Sequence, residues 1–444
     1  MKNEVCLVRA SVLAVGLWLV AVLSLANGQG IPSPRGPLAK TWDEAYARMS
    51  PFRGERQPGT DPSTLNGKVM CGYQGWFLAD GDGSGLGWVH YGPHDFKPGN
   101  CTVDYWPDMS EADPDECYPT AFKHADGSTA TVFSSYNAKT VNRHFKWMAD
   151  AGIDGVFLQR FATELKSPTF CDLVDAVLDN VRRGANANGR TWTIMYDLSG
   201  LQKGDIGTAV IEDWKHLVDR MEITKDPSYQ RQNGKPVVAV WGVGFNDGRK
   251  YTLEECAKLV DFLKNDPKYG GNCVMLGLPF GWREQNRDSD TDPKLHDLIR
   301  QADIVSPWAV GRYNSIESFN DGIKKYSQPD LAWCRENKLD YIPVIFPGFR
   351  WKNLMAAREH PNTSNEIDRL KGQFFEAQGK GLISIGVNMF YVAMFDEMDE
   401  GTAIFKCTNN PPVGASDFGT FDGMPSDTYL RMAGEFSQEL KKKP

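Results

Sequence analysis

The sequence predicts a single α/β domain folded as a closed (β/α)8 barrel. Three observations favour this fold: eight apolar segments alternate with eight helical ones, the apolar segments are hydrophobic throughout, and the units fill about 370 residues. Continuous apolar strands are typical of parallel sheets that helices cover on both faces. Such alternation also fits an open doubly wound sheet, but eight units in this length favour a barrel, which we place at residues 67–440.

The strands are expected at residues 68–77, 155–161, 191–198, 236–245, 273–282, 304–312, 341–349 and 388–395. The helices that follow them are expected at 137–151, 167–183, 206–221, 252–265, 293–302, within 316–337, at 364–378 and at 426–440. Apolar residues at helical spacing identify these helices, as Val141, Phe145 and Met148 do in the first of them.

Residues 1–26 are expected to form a secretory signal peptide. Lys2 and Arg9 give a positive start, residues 12–25 are apolar, and Ser24-Leu25-Ala26 fits a small-residue cleavage site. The apolar run is shorter than the roughly 20 residues of a membrane span, which disfavours the alternative of an uncleaved anchor. We therefore expect a secreted or periplasmic protein with no stable membrane span after cleavage. Residues 27–66 then form an N-terminal arm with a short helix at 41–49.

The composition argues against several classes of protein. The 444 residues are 41% hydrophobic and 24% charged, which is the balance of an ordinary globular domain. The net charge of -8 and the lack of a basic cluster argue against a nucleic-acid partner. No CxxC grouping indicates zinc, and we expect no metal and no cofactor. We expect a monomer.

One connection, between the first strand and its helix, is unusually long at about 60 residues. It carries Trp88, Tyr91, Tyr105 and Trp106, which is too aromatic a content for disorder. We interpret it as an ordered cover over one side of the barrel mouth. The acids at 108–116 fit no EF-hand spacing, so a solvated turn is favoured over a calcium site.

Cysteine usage predicts one disulfide. Removal of the signal peptide leaves eight cysteines, an even number that permits disulfides in an exported chain, although buried thiols are an equal alternative. Cys101 and Cys117 share the long connection and are predicted to form a bridge.

The carboxyl ends of the predicted strands combine aromatic with polar side chains, and in a barrel these ends form the active site. The candidate substrate-binding residues there are Gln74, Trp76, Gln159, Arg160, Tyr196, Asp197, Trp241, Trp308 and Asp396. Sugars pack their C–H faces on aromatic rings and need fixed partners for their hydroxyls. Taken singly, each Trp also fits a core position, and the charged groups also fit salt bridges with one another.

The last strand is followed by four acids within residues 396–400 and by Gly401. Glu397 and Glu400 are three residues apart, so a helical turn brings them to one side. Two close carboxyl groups repel, so one keeps its proton as an acid while the other stays a base. A solvated acidic loop is the plain alternative, which the position at the barrel mouth disfavours.

The run from Met394 to Thr402 resembles the Phe-Asn-Glu-Trp-His-Glu-Gly-Thr motif of glycoside hydrolase family 99, which contains endo-acting α-mannosidases and mannanases. Residues 132–136 and 152–161 resemble exported proteins described as family 71/99-like. The resemblance implies that Glu397 is a base that helps the substrate's own 2-hydroxyl attack the anomeric carbon. It implies that Glu400 protonates the leaving oxygen.

Three positions depart from the family motif. Asp396 replaces Asn, and Met398 and Asp399 replace Trp and His. These changes flank the catalytic pair and leave it intact, so they bear on the choice of sugar more than on the chemistry. Mannose is therefore not carried over to this chain.

We expect an exported glycoside hydrolase that cleaves α-linked glycans, with an oligo- or polysaccharide as substrate. A direct nucleophile and inversion through water remain open as mechanisms, and Asp197 is the best spare acid. The alternative is a non-catalytic carbohydrate-binding barrel with the same aromatic mouth, because a fold alone does not fix a function. The two differ in whether Glu397 and Glu400 both face one open pocket.

Overall fold

The computed structural model of the protein describes residues 36–93, 95–359 and 366–442. The expected signal peptide and the start of the arm lie outside these residues. Within the described ranges, no helix combines the length and apolarity that a membrane crossing requires.

Eight parallel strands form the barrel: β1 Val69–Tyr73, β2 Gly155–Phe161, β3 Thr191–Asp197, β4 Lys235–Trp241, β5 Cys273–Leu278, β6 Ile304–Pro307, β7 in two segments, Asp340–Tyr341 and Val344–Ile345, and β8 Phe390–Val392. From β1 to β6 each strand pairs with the next one along the chain, and β8 pairs with β1. The first segment of β7 pairs with β6 and the second with β8, which completes the ring. The predicted barrel fold is confirmed.

The break in β7 has a local cause. Pro343 has no N–H group to donate to the ladder, so the strand cannot continue through it. Its carbonyl still accepts from the Tyr391 N–H at 3.0 Å, and the Ile342 N–H donates to the Val305 carbonyl at 2.9 Å. Backbone pairing of β7 therefore changes from β6 to β8 at Ile342 and Pro343.

The helices surround this ring. They are α1 Trp42–Arg48, α2 Ala138–Ala151, α3 Pro168–Ala187, α4 Glu212–His216, α5 Leu253–Asn265, α6 Lys294–Ile299, α7 Ile316–Gly322, α8 Gln328–Glu336, α9 Lys352–Ala357, α10 Gln373–Ser384 and α11 Thr428–Lys441. Turns of π-helix extend α4 on both sides, at Ile206–Ile211 and Leu217–Met221, and a third, Ile323–Ser327, joins α7 to α8. Most of the predicted helices are confirmed to within a few residues.

The helix predicted at 364–378 is wrong in its first half, and α10 begins only at Gln373. Lys371 and Gly372 adopt left-handed backbone conformations, with φ of 50° and 86°, and these interrupt a right-handed helix. Before them, Ile367 and Phe349 exchange backbone hydrogen bonds of 2.8 and 3.0 Å. Pairing with the segment after β7 therefore replaces the helix that the local pattern favours.

The long connection, here called the cover loop (residues 78–136), is ordered over its described residues, 78–93 and 95–136. It contains a hairpin of Tyr118–Lys123 and Thr129–Val132. Phe96 packs on Phe122 and Trp106, with ring centroids 4.8 and 5.6 Å apart. The loop reaches the turn after β8, where the Asp104 N–H donates to the Met398 carbonyl at 2.9 Å. The prediction that it covers the mouth that carries Glu400 is confirmed.

The predicted disulfide between Cys101 and Cys117 is wrong, because both are free thiols. The Cys101 thiol is buried and lies 3.2 Å from the Ser416 hydroxyl, towards which it donates. Burial raises the pKa of this thiol to about 12. A shared loop did not bring the two sulfurs together, since Cys117 leads directly into the hairpin.

Candidate active site

The turn after β8 is tied to the end of β1 by Asp396. Its two carboxylate oxygens accept the backbone N–H groups of Gln74 and Gly75, at 2.8 and 2.9 Å. Burial raises the pKa of this carboxyl to about 7, although the two N–H donors oppose the shift. Asp396 is fully buried, so its predicted contact with substrate is not supported. The structure instead gives it the task of positioning Gln74 and the acidic turn.

A second anchor holds the other end of this turn. The Arg369 guanidinium donates to the carbonyls of Gly401 and Ala403, at 2.8 and 2.7 Å. Arg369 itself lies over the rings of Tyr105 and Tyr429, 4.5 and 4.6 Å from their centroids. The backbone on both sides of Glu400 is therefore fixed by buried contacts.

Glu397 receives a hydrogen bond on each carboxylate oxygen. The Gln74 side-chain amide donates to Oε1 at 2.6 Å, and the Thr402 hydroxyl donates to Oε2 at 2.6 Å. The side chain is only 5% exposed. Donors aimed at both oxygens favour the ionised form of a carboxyl group.

Burial dominates the ionisation of both catalytic candidates. It raises the pKa of Glu400 to about 7, with Asp399 adding to the shift and Arg358 opposing it. Burial also raises the pKa of Glu397 well above its usual value, and the charges of Glu400 and Asp399 add to it. Close carboxyl groups do not both ionise near neutral pH, so the pair shares one proton. The two donors on Glu397 oppose the effect of burial and favour its ionised form.

Glu397 and Glu400 line one cavity of about 200 Å³ at the barrel mouth. Its other lining residues are Gln74, Trp76, Gln159, Phe161, Asp197, Ser199, Trp241, Trp308 and Met394. A larger cavity of about 610 Å³ adjoins it and shares Trp308 and Glu400. Glu400 therefore stands where the two cavities meet.

The aromatic residues of the cavity are not equivalent. The His90 ring lies flat on Trp76, with centroids 3.9 Å apart and an interplanar angle of 5°, so it covers one face of the indole. Trp308 instead meets its ring neighbours edge-on, at 76° to Trp241 and 64° to Tyr391. Trp308 is consequently the better platform for the face of a sugar ring.

Two polar residues complete the floor and wall. Gln159 donates from its side-chain amide to the Tyr391 hydroxyl at 2.7 Å. Asp197 accepts the Ser199 N–H at 2.7 Å, and burial raises the pKa of its carboxyl. Both residues lie where the strand ends predicted them.

Arg160 and Tyr196 do not reach the cavity, contrary to prediction. The Arg160 guanidinium is buried between Asp175 and Asp213, with nitrogen–oxygen distances of 2.7 and 2.5 Å. The Tyr196 hydroxyl donates to Asp213 at 2.7 Å. Their side chains point away from the barrel interior towards α3 and α4, so the salt-bridge alternative holds for Arg160.

Other residues of the site escaped prediction. Phe161 and Ser199 each lie within two residues of a predicted contact, and Thr402 belongs to the acidic motif itself, so a signal for these existed. His90 had none, because its position depends on how the cover loop folds back over Trp76.

Two side-chain groups in the described ranges have spacings suited to a metal ion. Cys171, Asp175 and Asp213 form one, but Arg160 already occupies it with its positive charge. Asp113, Asp115 and Glu116 form the other, and Lys139 and Arg143 pair with them. Neither group adjoins the cavity of Glu397 and Glu400.

No protein-family model and no curated protein matches this sequence. Solved structures do match. One is the GH99 endo-alpha-mannosidase from Bacteroides thetaiotaomicron, with a TM-score of 0.61 at 16% identity over 85% of this chain and 99% of that chain. The same enzyme in complex with bis-tris-propane gives 0.60 at 14% identity over 85% and 98%.

A further chain, described as a glycoside hydrolase-like protein, gives a TM-score of 0.51 at 15% identity, over 87% of this chain and 97% of that one. At such identities the likeness concerns the course of the backbone rather than the chemistry. In its fold, the chain resembles the family 99 endo-α-mannosidase.

Proposed function

We propose that the protein is a glycoside hydrolase acting on α-linked glycans, with Glu397 as base and Glu400 as acid. One observation carries the proposal: both carboxyl groups line a single cavity, and Glu397 accepts two hydrogen bonds that favour its ionised form. The fold likeness to a family 99 enzyme agrees with it. We also propose export, on the basis of the N-terminal sequence.

The chemistry follows from the positions of the two carboxyl groups. Glu400 donates its proton to the glycosidic oxygen as the bond to the anomeric carbon breaks. Glu397 accepts the proton of the substrate's 2-hydroxyl while that oxygen attacks the same carbon, which gives a 1,2-anhydro sugar. Water then attacks the anomeric carbon and gives its proton to Glu400, while Glu397 returns its proton to the 2-oxygen as the anhydro ring opens, so both groups regain their starting states. The two-step route is the one the motif implies.

Three residues beside the catalytic pair bear on the choice of sugar. Asp396, Met398 and Asp399 replace the motif's Asn, Trp and His beside the catalytic pair. Asp396 and Met398 are fully buried, so their effect on a bound sugar is indirect. We therefore propose α-linked glycans as the substrate class.

A panel of α-linked oligo- and polysaccharides, incubated with purified protein, tests the proposal. We expect release of reducing ends by the native protein and by Glu336→Gln, an exposed control on α8, but not by Glu397→Gln. Glu400→Gln should regain much of its rate on an aryl glycoside with a good leaving group, since that group needs little protonation. Glu397→Gln should not regain it.

Binding without cleavage would favour the alternative of a carbohydrate-binding barrel. Near-native turnover by both Gln variants would remove Glu397 and Glu400 from the chemistry and make Asp197 the next residue to test.

A further inference from the structure

Asp399 lies between the two catalytic candidates in the acidic turn and is only 4% exposed. Its Oδ2 lies 3.3 Å from His90 Nδ1. Its Oδ1 is buried and has no hydrogen-bond partner among the residues that the structure describes. Buried polar atoms are nearly always satisfied, and a lone buried carboxylate costs stability. Stability therefore does not account for Asp399.

His90 links Asp399 to the wall of the cavity. It belongs to the cover loop and adopts a left-handed conformation, with φ of 60°. The Thr102 hydroxyl donates to its carbonyl at 2.5 Å, which fixes the backbone. Its ring faces Asp399 through Nδ1 and lies flat on Trp76, which lines the cavity. One ring thus connects the third carboxylate to the substrate site.

The charges around this pair are mostly negative. The charge of Asp399 raises the pKa of the other three acids of its turn, Asp396, Glu397 and Glu400, and of Asp104 in the cover loop. Two cations oppose these charges: Arg350 pairs with Asp104, and Arg358 lowers the pKa of Glu400. His90 lies near two acids, Asp399 and Glu164. Glu397 has two hydrogen-bond donors to stabilise its charge. Glu400 follows Asp399 directly in the chain, and the negative charge of Asp399 adds to the raised pKa of Glu400.

We propose that Asp399 and His90 are positioning residues: Asp399 keeps the proton on Glu400 by its negative charge, and His90 holds Trp76 in the cavity wall. This inference rests on the proposed function, because it assigns Glu400 the role of acid. A negative charge beside an acid disfavours the acid's ionised form, so the acid stays loaded to higher pH. The family motif has His at the position of Asp399, so the proposed role of this carboxylate is specific to this chain.

Asp399→Asn tests the role of the charge, since it keeps the shape and removes only the charge. We expect the alkaline limb of the pH–rate profile to move to lower pH by about one unit. Asp43→Asn, on the exposed face of α1, should leave the limb in place. Should Asp399→Asn fold poorly, as judged by circular dichroism, Asp399→Ser removes the same charge with a smaller side chain.

The titration of Glu400 is also measured without turnover, by NMR of protein labelled with 13C at the glutamate carboxyl groups. The Glu400 signal is the one that Glu400→Gln removes. A downward shift of its midpoint in Asp399→Asn supports the positioning role even when no glycan is cleaved. Turnover by the native protein, combined with an unmoved Glu400 midpoint in both Asp399 variants, overturns it.

His90→Asn tests the second half of the pair. Asn tolerates the left-handed conformation and retains an N–H donor for Asp399, but it lacks the ring that covers Trp76. We expect KM to rise several-fold with a smaller change in kcat. An unchanged KM would show that Trp76 does not depend on His90.

Discussion

Two of the buried clusters of charge differ in how that charge is compensated. Behind the barrel wall, Arg160 lies between Asp175 and Asp213, and Tyr196 donates to Asp213. In the turn after β8, four carboxyl groups stand within residues 396–400. Their one ion-pair contact from a described residue is His90, 3.3 Å from Asp399.

The difference separates a structural cluster from a functional one. A paired cluster gains back much of its desolvation cost and can be explained by folding alone. An unpaired cluster raises the pKa of its members, as it does for Asp396 and Glu400, and such groups concentrate at active sites. The presence or absence of a counter-ion, rather than burial alone, therefore distinguishes the two clusters.

The largest expected effect concerns turnover in the unpaired cluster. Glu397→Gln and Glu400→Gln should each lower kcat by about 10²–10⁴-fold, because each removes a proton-transfer group. The native pH–rate profile should be a bell whose alkaline limb lies near pH 7, since Glu400 must be protonated to act and its pKa is about 7. Each variant should erase one limb; a variant that keeps both limbs would contradict its assigned role.

The paired cluster should respond in stability instead. Arg160→Met leaves two aspartates buried without their cation, which costs about 3–5 kcal/mol of unfolding free energy. Urea denaturation measures this loss, with Arg48→Met as a control, since that arginine is partly exposed beside Asp172. The variant protein that remains folded should keep the pH–rate profile of the native protein. A shifted limb would show that Arg160 affects the catalytic carboxyl groups.

Removing a charge from the unpaired cluster should stabilise the protein. Because the folded-state pKa of Glu400 is raised to about 7, its ionisation costs stability as pH rises from the unfolded value of 4.5 through 7. Glu400→Gln should therefore raise the unfolding free energy by roughly 1–2 kcal/mol at about pH 8, less than the full shift implies because the side chain is partly exposed.

The same variant should show no gain at about pH 4, where the carboxyl is protonated in both states. Thermal unfolding at the two pH values measures the difference. A gain of equal size at both would point to packing rather than charge.

The smallest expected effect concerns the two tryptophans. Trp308→Ala should weaken glycan binding by about 1 kcal/mol, because its face is the available platform. Trp76→Phe should have a smaller effect, since His90 already covers one face of that ring. Isothermal titration with the Glu397→Gln protein, which binds without turnover, compares them. The reverse order would identify Trp76 as the platform.

The sequence by itself determined the barrel and its central residues. Period and apolarity are local properties, and they predict the strands because a parallel strand must be apolar on both faces. The acidic motif located Glu397 and Glu400, and strand ends located Gln74, Gln159, Asp197, Trp241 and Trp308, because a barrel gathers its strand ends at one mouth.

Only the tertiary structure decided which way individual side chains point and what the loops touch. Arg160 and Gln159 are neighbours on β2, yet successive strand residues face opposite sides, so one meets α3 and α4 and the other meets the cavity. His90 reaches Asp399 across 309 positions of the chain, and Cys101 turns to Ser416 rather than to Cys117. These contacts depend on packing between residues that are far apart in the sequence, so local sequence patterns do not predict them.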